Sequence, residues 1–125
     1  MKFIHYIIHL IVEGMVFLIK LLMSVGISPK LFKEIIASHS VGKGQNEYNK
    51  KNYDKAYQIL KPIADYNFSD GYVGIAQMFI GLMYFYGNGI EQDTEISRKY
   101  LSKAIENHND YAKKFIKNLP ANSEQ

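Results

Sequence analysis

The 125-residue chain contains no cysteine, which removes disulfide frameworks, thiolate zinc sites and cysteine nucleophiles together. That absence leaves the compartment open. A basic stripe with interleaved aromatics is also missing: the net charge is +3, but the lysines are scattered among acids, and no nucleic-acid partner is expected. His39 and Ser40 have no acidic residue at a suggestive spacing, so no nucleophile–base pair is read there. Gly87-Asn88-Gly89 follows a helical pattern and not a strand, which argues against a phosphate loop. His5, His9 and Glu13 stand at i, i+4 and i+8, and two histidines at i, i+4 can share a metal. Here the third group is two turns from the first, and no glutamate follows His5 as a base. A polar stripe on an apolar helix explains the same residues, and no metal, cofactor or catalytic residue is expected.

What is present describes a folded chain of one domain at most. A hydrophobic share of 47% against 22% charged is too apolar for a disordered tail. Phe3–Ile27 is almost entirely apolar and about as long as a membrane span of roughly 20 residues. At 100° per residue, Lys2, His5, Tyr6, His9, Glu13, Lys20 and Ser24 gather in a sector about 100° wide, leaving a broad apolar arc. Four readings stay open for residues 1–27: a cleaved signal peptide, a membrane helix with its stripe turned to a partner, an in-plane interfacial helix, and a helix packed over the end of the domain. Membrane association is favoured, on a side the flanking lysines leave open.

Residues 28–40 read as a short helix and linker. Ser28-Pro29 is a helix start, with serine as cap and proline in the first turn, and Leu31, Phe32, Ile35 and Ile36 supply an apolar face. Ser38–Gly44, polar and glycine-bearing, is expected to break it before the domain at 41–118. Within 41–67, Tyr48, Tyr53, Ala56, Leu60, Ile63 and Ala64 keep helical spacing, with a turn expected at Asn52-Tyr53. Residues 76–111 read as helix, glycine turn, helix. Ala76, Gly81 and Ala104 are small where two helices approach, Gly87 and Gly89 break the first helix, and Asp93 caps the second. Ser69 or Asp70 caps the helix before them. Residues 111–118 supply a partial last helix that Pro120 stops.

The stretch Ala76–Tyr111 resembles the Sel-one-like repeat, a branch of the tetratricopeptide-like helical repeats. Ala76, Gln77, Ile80, Gly81, Tyr84, Gly87, Gly89, Ile90 and Asp93 meet that family's pattern at its spacing, followed by Ser97, Tyr100, Lys103 and Ala104. Leu101, Ile105 and His108 depart from it, and the last two suggest a looser final turn or the end of the array. The resemblance implies an all-α fold, a short right-handed α-solenoid of helical hairpins behind the long hydrophobic N-terminal helix. It also implies a non-enzymatic adaptor that binds a protein partner. Tyr48, Tyr86, Glu91 and Arg98 are the expected partner-binding residues, while Tyr84 and Tyr100 are expected to pack between helices. Small bacterial proteins of this kind resemble membrane-associated adaptors and immunity proteins that neutralise a secreted toxin. The lysine-, asparagine- and isoleucine-rich composition suits an AT-rich bacterium. A membrane-bound homo-oligomer joined through the polar stripes is the structural alternative.

Overall fold

The computed structural model describes residues 1–67 and 69–120. Among the described residues six helices follow in order: α1 Lys2–Ser24, α2 Pro29–Asn49, α3 Tyr53–Ala64, α4 Gly71–Tyr86, α5 Thr94–Glu106 and α6 Tyr111–Ile116. No strand occurs among the described residues. The chain divides into two compact units, Met1–Lys33 and Glu34–Gln125.

In the first unit, α1 has no buried residue; its apolar arc is exposed along most of its length, with Ile19 and Leu22 half-buried near its end. The helix stops at Ser24, short of the expected Ile27. Gly26 takes φ +88°, and the Gly26 and Ile27 amides return to the carbonyls of Met23 and Leu22. This pair of bonds satisfies carbonyls that the helix end would otherwise orphan. Ser28 Oγ then accepts from the Leu31 amide at 3.1 Å, the cap read in the sequence.

The second unit is a stack of hairpins. α4 packs against α3 on one side and α5 on the other, and α6 closes on α5 and α4. One cluster joins Ala37 and Val41 of α2, Leu60 and Ile63 of α3, and Val73, Ala76, Phe79, Ile80 and Met83 of α4. A second gathers Leu101 and Ala104 of α5, Ala112 of α6 and Leu119.

The linker expected at Ser38–Gly44 is instead continuous helix. Ser38 Oγ donates to the Ile35 carbonyl at 2.9 Å, so the hydroxyl adds to a turn and does not interrupt it. Gly44 is buried where a Cβ would come within 2.5 Å of the Leu60 side chain. It is there to let α2 and α3 touch. The following turn is Lys50–Asn52, one step earlier than expected, with Tyr53 the first residue of α3. Lys51 takes φ +64°, and the Lys51 and Asn52 amides bond to Tyr48 and Glu47. Asp70, not Ser69, caps α4, accepting from the Tyr72 amide at 2.6 Å.

The closing turn of α5 is not loosened by its histidine. His108 sits at φ +63°, and the His108 and Asn109 amides bond to Ile105 and Ala104, the same device used after α1 and α2. α6 is shorter than expected, ending at Ile116, while the tail beyond Pro120 lies outside the described residues.

Candidate interaction surface

The hairpin of α4 and α5 rests on small residues. Ala76 and Ala104 are fully buried, and a Cβ on Gly81 would approach the Leu101 side chain to 2.9 Å. Ser97 Oγ uses that closeness to donate to the Gly81 carbonyl at 2.7 Å. At the turn Gly87 takes φ +69° and the Asn88 amide bonds to Met83. A Cβ on Gly89 would meet that of Tyr53 at 2.6 Å, so this turn lies against the start of α3. Asp93 caps α5, accepting from the Ile96 amide at 2.9 Å. Gln77 is buried and satisfied at both ends: its amide donates to the Ala64 carbonyl at 3.1 Å and its oxygen accepts from Asn107 at 2.8 Å. Those bonds join α3, α4 and the end of α5.

Three helices share one polar aromatic face. The Tyr84 and Tyr100 rings are parallel with centroids 6.2 Å apart, and the Tyr57 and Tyr84 hydroxyls share a hydrogen bond of 3.1 Å. Tyr100 Oη donates to Asp65 Oδ1 at 2.8 Å, and Lys61 Nζ pairs with Asp65 Oδ2. Lys61 and Lys103 each place an ammonium 5.8 Å from the Tyr100 ring centre, within cation–π range. The hydrogen bond with Tyr57, then burial, push Tyr84 up to about 12. Burial pushes Asp65 up, but the hydrogen bonds from Lys61 and Tyr100 outweigh it and hold the carboxyl below its usual range. Tyr57, Lys61, Asp65 and Lys103 were missed as a group from sequence. The readable signal was Tyr57, Lys61 and Asp65 at i, i+4, i+8 along α3 and its C-cap, which names a face but not its neighbours.

Of the four expected partner-binding residues, Tyr48, Tyr86 and Glu91 are found about the α4–α5 turn, and Arg98 faces the Pro120 carbonyl. Tyr48 is half-buried, edge-on to Tyr53 and Phe79 with centroids 5.3 and 5.0 Å away, and its hydroxyl accepts from Asn88 at 3.1 Å. It braces the α4–α5 turn against the neighbouring hairpin. Tyr86 stands exposed at 56%, edge-on to Phe85, and Glu91 is exposed on the same turn. Arg98 is turned to the end of the chain and donates to the Pro120 carbonyl. Near Tyr48, Glu47 accepts from Asn52 at 2.9 Å; that bond first, then Lys55, holds it below the usual carboxylate range.

On α1, His9 and Glu13 pair at 3.9 Å, both exposed. No group of three or more histidine, aspartate or glutamate side chains is placed to hold a metal among the described residues. α1 is long and apolar enough to cross a membrane, a property shared by signal sequences.

Residues 74–109 match the family model of the Sel1 repeat. No curated protein and no solved structure matches the chain. The match covers α4, the glycine turn and α5, the hairpin whose small residues, cap and left-handed turn are described above. The chain therefore carries a Sel1 repeat, a helical module that mediates protein–protein interaction.

Proposed function

We propose that this protein is a membrane-tethered, non-catalytic scaffold that binds a protein partner. The observation that carries it is the face of Tyr57, Lys61, Asp65, Tyr84, Tyr100 and Lys103, assembled from α3, α4 and α5. Stacked repeats bind through surfaces built across hairpins, and tyrosine is among the residues enriched at such surfaces. A lysine held by an aspartate and an aromatic ring, as Lys61 is, loses little rotamer freedom on binding, which favours affinity. Tyr86 and Glu91 are exposed at the turn and offer a separate contact there; Tyr48 and Arg98 act by holding the turn and the Pro120 segment. The tether is α1, whose exposed apolar length suits lipid better than water. Neutralising a toxin would use the same face, and the partner's identity decides between the two settings.

The test is affinity capture from the native host with the full-length protein and with Lys61→Ala/Lys103→Ala. A specific protein retained by the first and lost by the second, with unchanged circular dichroism, is expected. Equal recovery by both would remove this face from the function.

A further inference from the structure

The turn between α4 and α5 carries Asn88, the one asparagine of the chain that is followed by glycine. Asparagine is chemically labile, and before glycine it is most so, because no Cβ crowds the attack of the next backbone nitrogen on Asn88 Cγ. Asn88 is half-buried and Gly89 exposed, and Gly89 lines an open cleft with Lys51, Tyr53 and Lys55. Water therefore reaches the reacting atoms.

Two ties hold this turn to the preceding hairpin, and both end at these two residues. Asn88 Nδ2 donates to Tyr48 Oη of α2 at 3.1 Å. Gly89 lies against Tyr53, the first residue of α3, so closely that a Cβ would come within 2.6 Å of the tyrosine Cβ. The α4–α5 hairpin itself is closed by other bonds. The Asp93 amide reaches the Tyr84 carbonyl at 3.0 Å, and Gln92 Nε2 reaches the Phe85 carbonyl at 2.8 Å.

We propose that Asn88-Gly89 is a deamidation site whose isoaspartyl product releases the α4–α5 turn from α2 and α3. In the first step the Gly89 nitrogen bonds to Asn88 Cγ, the Cγ–Nδ2 bond breaks, and ammonia leaves with the Gly89 proton. A five-membered imide remains. Water then adds to the Asn88 main-chain carbonyl, and the bond from that carbon to the Gly89 nitrogen opens. This leaves a free α-carboxylate and a main chain that runs through Cβ and Cγ. Water is the only co-reactant. The departing nitrogen is the donor to Tyr48, so that bond is lost. The added methylene falls between Gly87, at φ +69°, and Gly89, wedged on Tyr53, where the chain has no slack. One reaction cuts both ties and leaves the hairpin closed.

The full-length protein is aged in neutral, detergent-containing buffer at physiological temperature. Ion exchange then parts chains that have gained a carboxylate from intact chains of the same age. Peptide mapping with electron-transfer fragmentation is expected to find isoaspartate at position 88, formed several-fold faster than at any other asparagine. Hydrogen exchange then compares the two fractions. The Ala56 amide, bonded to the Asn52 carbonyl at 2.9 Å in the first turn of α3, is expected to exchange several-fold faster in the converted chains, with α5 unchanged. An intact Asn88 after a time in which urea-unfolded chains convert would overturn the site. Conversion to α-linked aspartate alone would overturn the isoaspartyl product. Isoaspartate at 88 with unchanged exchange at Ala56 would overturn the release. Equal acceleration through α5 would do the same, because it would mean general unfolding.

Discussion

His108 takes the left-handed conformation that the repeat pattern gives to glycine, and an L side chain held there costs about 1–2 kcal/mol. His108→Gly is therefore expected to raise stability by about 1 kcal/mol, read as a higher urea midpoint at unchanged slope. A lower midpoint would mean that the imidazole makes a compensating contact. Gly81 is the opposite case, because any Cβ there meets Leu101, which is itself fully buried and has nowhere to turn. Gly81→Ala should destabilise by about 1–3 kcal/mol in the same assay. Asp65 gives a pH prediction. Its folded pKa is depressed, so its contribution is present above the unfolded value of about 3.9 and is lost as pH falls through the folded one. Asp65→Asn should lower stability at neutral pH and leave a shallower acid dependence below about pH 4; parallel profiles would contradict the assignment.

Among the elements, α6 is held by few residues. Six residues cannot sustain a helix alone, so its order comes from Ala112 and Leu119 packing into the cluster with Leu101 and Ala104. Leu119→Ala should cost about 2 kcal/mol and speed amide exchange across Tyr111–Ile116, while α4 keeps its protection. Equal loss of protection in α4 would show that the hairpin core depends on the chain end. α2 explains why its middle was misread from sequence. Ser38, Gly42 and Gly44 are helix-weak residues that looked like a boundary, yet buried Ala37, Val41 and Gly44 keep one face against the core. Tertiary burial overrides local propensity there.

At the level of the whole chain, the second unit holds the described core clusters and α1 contributes no buried residue to either. A chain begun at Ser28, which keeps the α2 cap, is expected to melt cooperatively within a few degrees of the full-length protein. It should also float free of vesicles that retain the full chain. A large loss of melting temperature would show that α1 has a structural part, and vesicle binding without α1 would shift the tether to α2.

The hairpin read at residues 76–111 was legible because its information is local: small residues at helical spacing, a glycine turn and an aspartate cap act within a few residues of themselves. The apolar length of α1 was legible for the same reason. Other features needed the fold. Tyr48 and Arg98 looked like free surface groups until packing set one against Phe79 and the other on the Pro120 carbonyl. Tyr57, Lys61 and Asp65 became a surface only when Tyr84 and Tyr100 arrived from other helices. A residue's own sequence neighbours set its backbone. Which side chains it meets depends on the angle at which helices stack, and that angle is a property of the assembled core.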